Sequence, residues 1–211
     1  MPGTTAGQFD RGSVYAMGAH SILFTVPDAG NGPIQFYNQT DLTGLTAGDV
    51  LCSKKAHGWP WTVAITVSDN ASSDLSVGLT IIGIDHFGNE VTETLTGLGD
   101  GIHITANIYK LVISVTLDSI SNAAALDVLQ IGVRGSAGAD PDASDSGSFA
   151  LPLNVETGDV LGVLMSNIDQ VNTTGNITID YDAKRADITT DFNTASVYGV
   201  IMLDPRKDWA W

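Results

Sequence analysis

The chain has 211 residues, of which 24 are acidic and nine are Lys or Arg, so its net charge is −15. This charge excludes nucleic acid as a partner, since phosphate binding requires clustered basic side chains, and it disfavours anionic membranes. Of the acidic residues 21 are Asp and only three are Glu. Asp favours turns whereas Glu favours helix interiors, so the composition predicts a mostly β protein.

The first 18 residues are rich in Gly and polar residues and predict an extended N-terminal arm that carries Phe9 and Tyr15. The arm lacks a basic stretch followed by an apolar one, and no apolar run reaches the ~20 residues of a membrane helix. We therefore expect a soluble protein that is made in a cytoplasm. Cys52 is the only cysteine, so an internal disulfide is excluded, and it is expected to be a small buried residue.

Alternating apolar and polar residues predict strands along most of the remaining chain. The predicted strands cover residues 20–26, 35–37, 61–67, 77–84, 91–96, 111–117, 126–133, 149–153, 160–165, 177–181 and 197–203. Turn residues separate them, which indicates an all-β protein, a β-sandwich of jelly-roll-like type with about eight to ten strands. Residues 38–58 predict a loop-rich excursion, residues 121–125 a short helical turn, and no internal repeat is evident.

The predicted domain covers residues 19–204, and a short C-terminal tail covers residues 205–211. The polar stretch 134–148 contains only Gly, Ser, Ala, Asp and Pro after its leading Arg. Such a composition predicts an exposed loop or a linker, so the domain has a possible subdivision there.

A polar corner, Asp-His-Phe-Gly-Asn at residues 85–89, lies between two predicted strands. Asp85 and His86 resemble an acid and a base, with Glu90 as a third group. Catalysis, however, requires a nucleophile and a shielded pocket. Gly followed by Asn is typical of a turn, because both residues tolerate positive φ. The stretch 81–96 therefore predicts a β-hairpin with an exposed tip rather than an active site.

Metal and cofactor motifs are absent from the sequence. Asp140, Asp142 and Asp145 have a spacing that suits a calcium loop, but Leu151 stands where such a loop requires a closing Glu. The pair at residues 180 and 182 is a similarly weak candidate, and the histidines at 20, 57, 86 and 103 have no zinc spacing. We expect no metal, no cofactor and no catalytic residues, and hence a protein that is not an enzyme.

Four tryptophans are the most informative apolar residues. Trp59 and Trp61 flank Pro60, where exposed rings would stack on a sugar and buried rings would belong to the core. Two tryptophans at the end of the C-terminal tail are unfavourable in water, which predicts their burial in a partner subunit. The candidate interface residues are Phe9, Tyr15, Trp59, Trp61, Trp209 and Trp211.

Residues 78–96, GLTIIGIDHFGNEVTETLT, followed by a Gly turn and the apolar strand KLVISVTL, resemble β-sandwich head and tail proteins of tailed bacteriophages. The opening stretch MPGTTAGQFDRGSVYA is similar to phage head-associated proteins of about this length. The resemblance covers the central third of the chain. It implies a virion structural protein and supplies no catalytic residues.

Within that class, the acidity disfavours the capsid interior, which faces packaged DNA. We therefore expect a capsid decoration (cement) protein on the outer surface of the virion, with the major capsid protein as its partner. The resemblance further implies a homotrimer. The alternatives are a head–tail adaptor or tail component of the virion, and a carbohydrate-binding host-recognition module that uses Trp59 and Trp61.

Overall fold

The computed structural model describes residues 14–16, 21–26, 35–70, 74–133, 146–167, 177–189 and 197–210. These ranges contain thirteen strands and no helix, and hence no helix that could span a membrane. The strands are β1 (Val14–Ala16), β2 (Ser21–Val26), β3 (Gln35–Gln39), β4 (Val50–Ser68), β5 (Ser76–Asp85), β6 (Glu90–Leu98), β7 (Gly101–Ser121), β8 (Val128–Val133), β9 (Ser146–Ala150), β10 (Val160–Asn167), β11 (Ile177–Asp180), β12 (Arg185–Thr189) and β13 (Val197–Leu203).

Two antiparallel sheets form the fold, which confirms the predicted all-β sandwich. The smaller sheet has four strands in the order β1-β2-β13-β10. The larger sheet has nine strands, with β11-β12-β9-β4-β7-β5-β6 as its main path and with β8 and β3 branching from β4. The loop or linker predicted over residues 134–148 is wrong for residues 146–148, which begin β9. β9 pairs with β4 and β13 pairs with β2, so strands that precede and follow residues 134–145 lie in the same sheets.

The centre of the large sheet is the pair of long strands β4 and β7, with 19 and 21 residues. Consecutive residues of β4, from Trp61 to Val67, are buried, as expected for a strand that is covered on both faces. The strand begins at Val50, so the loop predicted over residues 38–58 is wrong for its second half. Lys54 has a φ of +53° and the pairing with β7 shifts in register three times, and these irregularities hide the period-two pattern.

A single hydrophobic cluster joins the two sheets. It contains Ile22 and Ile201 from the small sheet and Trp61 and Phe149 from the large sheet. The Trp61 and Phe149 rings lie with their centroids 5.0 Å apart, and Trp61 is 2% exposed. Removing a ring of this size from a core typically costs about 3–5 kcal/mol. Cys52 is 7% exposed, which confirms its predicted burial.

Two turns of the same design precede β4 and β10. We name residues 42–49 the first turn and residues 152–159 the second turn. Gly48 has a φ of +99° and Gly158 a φ of +95°, a left-handed conformation that favours glycine. In each turn the following aspartate accepts a backbone N–H from three residues earlier, at 2.8 Å for Asp49 and 2.7 Å for Asp159.

The likeness continues into the strands that follow the turns. The pairing of β4 with β7 shifts in register just after Val50, and the pairing of β10 with β13 shifts just after Val160. The backbone N–H of Leu117 donates to the carbonyl of the first turn's aspartate, and that of Asp204 donates to the second turn's aspartate. The chain therefore contains an internal repeat, TAGDVL at 46–51 and ETGDVL at 156–161, that the sequence analysis missed.

Candidate functional site

The tip of the β5–β6 hairpin is a tight turn, as predicted. Asp85 donates its backbone N–H to the carbonyl of Asn89 at 2.9 Å, and its carboxylate accepts the Asn89 N–H at 2.8 Å. Gly88 has a φ of +92°. The tip is exposed at residues 87–89, as predicted, whereas Asp85 is only 9% exposed and His86 is partly buried. Phe87 remains on the surface, with 48% of its area exposed.

His86 is held against the turn between β11 and β12. Its Nε2 lies 3.0 Å from the carbonyl oxygen of Ala183, so this nitrogen carries the proton and donates it. Burial lowers the pKa of His86, which keeps the ring neutral at pH 7. Nδ1 is buried without a hydrogen-bond partner.

A cavity of about 180 Å³ lies beside His86, and its described lining consists of residues 85–87, residues 106–108, Ala183 and Arg185. That lining contains no Ser, Thr, Cys or Lys, so Asp85 and His86 face no nucleophile among these residues. Glu90, the third group considered, lies exposed at the start of β6 and outside this lining.

The wall of the cavity at residues 106–108 is fixed by Glu93. Its carboxylate accepts the backbone N–H of Ala106 at 2.7 Å and that of Asn107 at 3.1 Å. It also accepts the Asn107 side-chain amide at 2.8 Å and the Tyr109 hydroxyl at 3.2 Å. Burial and the Glu93 charge raise the pKa of Tyr109, so its hydroxyl keeps the proton that it donates.

The opposite wall is fixed by Asp180. One of its carboxylate oxygens accepts the backbone N–H groups of Asp182 at 3.0 Å and Ala183 at 2.8 Å. The Nε of Arg185 lies 3.0 Å from Asp187 and 3.9 Å from Asp180 as an ion pair, but it makes no aligned hydrogen bond. Asp180 is therefore occupied by its own turn rather than poised for a metal.

No group of three or more His, Cys, Asp or Glu side chains gathers around a possible metal position in the described ranges. The other calcium candidates, Asp140, Asp142 and Asp145, lie outside those ranges.

A second candidate surface lies at the edge of the small sheet. Leu161 and Leu164 of β10 are 59% and 55% exposed, and Met202 of β13 is 39% exposed. Met202 pairs with Gly162, and Leu164 lies on the same face of the sheet two residues further along β10. We name Leu161, Leu164 and Met202 the apolar edge. Among the described strands β10 pairs only with β13, so the backbone of its other side has no strand partner there.

The C-terminal tail docks on the second turn of its own chain. Asn154 donates its amide to the carbonyl of Asp208 at 2.7 Å and accepts the backbone N–H of Ala210 at 2.8 Å. The ammonium group of Lys207 lies 2.8 Å from Asp159, and this contact lowers the pKa of Asp159 and raises that of Lys207.

Of the predicted interface residues, the structure describes the side chains of Trp61 and Trp209. Trp61 is 2% exposed and belongs to the core, which is one of the two alternatives that the sequence left open for it. Trp209 packs partly buried against the core of its own chain, and its burial in a partner subunit stays a prediction. The side chains that lie outside the described part of the chain are those of Phe9, Tyr15, Trp59 and Trp211.

Sequence reasoning missed the apolar edge. A signal was present, because residues 160–167, VLGVLMSN, carry no charge in a strongly acidic chain.

Comparison with known proteins gives no match to a family model, to a curated protein or to a solved structure.

Proposed function

We propose that the chain is a non-enzymatic structural protein of a tailed-bacteriophage virion, a decoration protein that binds the outer surface of the major capsid protein and stabilises the head. The observation that carries this proposal is the apolar edge. Soluble monomers rarely expose several large apolar side chains on an edge strand, and β10 has no strand partner on its outer side among the described residues, so these side chains mark a contact with another protein. The resemblance of residues 78–96 to phage virion proteins supports the major capsid protein as the partner.

The proposed mechanism is mechanical. Each copy places Leu161 and Leu164 against the shell, and a stable contact of this kind buries about 1,000 Å² or more in total. Many copies bound to neighbouring capsid subunits add their contacts, so that the shell resists internal pressure. A net charge of −15 suits the outer surface, where no packaged DNA repels it. The homotrimer implied by the resemblance is part of this proposal.

Binding to capsids that have been stripped of the protein tests the proposal. Wild-type protein and a Leu161→Asp/Leu164→Asp double variant are mixed with shells, and bound copies are quantified after sedimentation. Leu126→Asp is the matched control, because Leu126 is 68% exposed and lies in the turn before β8, away from the apolar edge.

We expect wild-type and control proteins to saturate at many copies per shell and to raise its thermal resistance, and we expect the double variant to be lost from the shell. Equal binding by the double variant would contradict the role of the apolar edge. Saturation at only a few copies per particle would instead identify a head–tail adaptor or tail component.

A further inference from the structure

The cavity at the hairpin tip has three walls that are each fixed by a carboxylate. Asp85 closes the hairpin turn, Glu93 holds residues 106 and 107, and Asp180 holds the turn before β12. His86 ties the first wall to the third through its hydrogen bond to Ala183. Walls that are rigid before a ligand arrives reduce the ordering cost of binding, which is the property expected of a recognition site.

The lining combines an exposed aromatic ring with polar groups. Phe87 is 48% exposed at the rim, and Ile108, only 2% exposed, supplies an apolar floor. Arg185 contributes a guanidinium with five N–H donors. Its Nε is buried beside Asp187, so it is closed to a ligand, and one terminal nitrogen makes a long contact of 3.5 Å with Ala106. The terminal nitrogens are therefore the donors that a ligand with hydroxyl oxygens would meet.

The charges around the cavity disfavour an ionic ligand. An anion that reached Arg185 would also meet Asp180 and Asp187, which already neutralise the guanidinium. A cation would meet Arg185 itself, while the Asp85 carboxylate is occupied by Asn89. The electrostatics thus favour a neutral ligand that donates and accepts hydrogen bonds.

We propose that this cavity binds one neutral sugar ring, a hexose unit at the end of a glycan, with its apolar face on Phe87 and its hydroxyl groups toward Arg185 and Asn107. The volume of about 180 Å³ suits a single ring, since sites for drug-sized molecules occupy roughly 300–1,000 Å³. This site is separate from the apolar edge and from the sugar-binding alternative that the sequence offered at Trp59 and Trp61.

Saturation-transfer NMR with the methyl glycosides of glucose, galactose and mannose, followed by a glycan array, tests the proposal on the whole chain. The variants are Phe87→Ala and Arg185→Lys, which removes the planar fork and keeps the charge. Leu126→Ala is the matched control, because it also shortens an exposed apolar side chain in a turn. Circular dichroism verifies that each variant is folded.

At least one neutral hexose is expected to bind with millimolar affinity. Phe87→Ala is expected to weaken that binding about tenfold and Arg185→Lys to weaken it measurably, while Leu126→Ala leaves it unchanged. Binding that survives Phe87→Ala, the absence of binding to every neutral hexose, or binding of charged sugars or peptides alone would overturn the proposal. Capsid binding by Phe87→Ala is expected to match wild type. A failure of the sugar-binding proposal is therefore distinguishable from a failure of the decoration function.

Discussion

The first and second turns share their backbone but differ in what is attached to them. In each, a glycine of positive φ and a capping aspartate close the loop before a strand. Only the second turn carries the side chains that hold the C-terminal tail, with Asn154 where the first turn has Gly44 and Glu156 where it has Thr46. Turn geometry therefore follows from the short pattern G-D-V-L, whereas tail docking adds two side chains outside that pattern to the contact between Asp159 and Lys207.

The largest effect is expected in the reactivity of the Cys52 thiol. Cys52 lies three residues after the aspartate of the first turn, and Gly162 takes the equivalent place after the second turn. Burial raises the pKa of Cys52 to about 11, so the folded chain holds about 100-fold less thiolate than the unfolded chain at the same pH. Labelling with a thiol reagent at about pH 8 is therefore expected to be at least that much slower in native protein than in denaturant.

The labelling rate also separates the two turns. Asp49→Ala is expected to accelerate labelling of Cys52, because it loosens the first turn, and Asp159→Ala is expected to leave the rate unchanged. Labelling of native wild-type protein as fast as that of the unfolded chain would show that Cys52 is not buried.

The next effect concerns the shared backbone. Gly48→Val and Gly158→Val place a branched side chain at a φ of +99° and +95°, and each is expected to cost about 1–3 kcal/mol of unfolding free energy. Gly44→Ala is the control, because an added methyl group there meets open space and the φ is not positive. Urea denaturation measures all three. A large cost at only one of the two positive-φ glycines would show that the turns do not share their conformation.

A smaller difference is expected between the stability losses caused by removing the two capping aspartates. Asp49→Ala removes a hydrogen bond to the backbone of the first turn and is expected to cost about 1 kcal/mol of unfolding free energy. Asp159→Ala removes the same cap and also the contact with Lys207, so its melting temperature is expected to fall further. Thermal melts followed by circular dichroism compare the two, and equal shifts would mean that the tail contact contributes nothing to stability.

The smallest effect is the pH dependence of the Lys207 contact. The pKa of Asp159 is lowered by its hydrogen bond with Lys207, so the unfolded chain binds more protons near pH 4 and the contact is lost as the pH falls through that window. Lys207→Met is expected to lower the melting temperature slightly at neutral pH and to converge with wild type once the pH falls below the lowered pKa of Asp159. A difference that persists in acid would assign the effect to the lost packing of the lysine chain.

Local patterns predicted the fold where they were uninterrupted. Residues 91–96 alternate in sequence, and β6 alternates in exposure, with Thr92, Thr94 and Thr96 on its open face. The hairpin turn followed from Gly88 and Asn89, because a preference for positive φ belongs to the residue itself. Irregular strands were harder to predict from the sequence. The early part of β4 is interrupted by register shifts, and the five residues of β12 include a charged Arg and a charged Asp.

The candidate sites depended on contacts that no local pattern contains. His86 is covered by a turn 97 residues later in the chain, which a hairpin pattern cannot indicate. Leu161 and Leu164 were predicted to lie in a strand, but their exposure follows from the position of β10 at the edge of the sheet order. Trp61 is buried because Phe149, a residue of a distant strand, packs on its ring.

Hydrogen exchange of the protein, free and bound to capsid shells, tests the central claim most directly. We predict that residues 160–167 gain protection from exchange on the shell. Residues 50–53, which begin β4 as residues 160–163 begin β10, are expected to exchange as in the free protein. Unchanged exchange over 160–167 in protein that is bound to shells would contradict the claim that the apolar edge makes the contact.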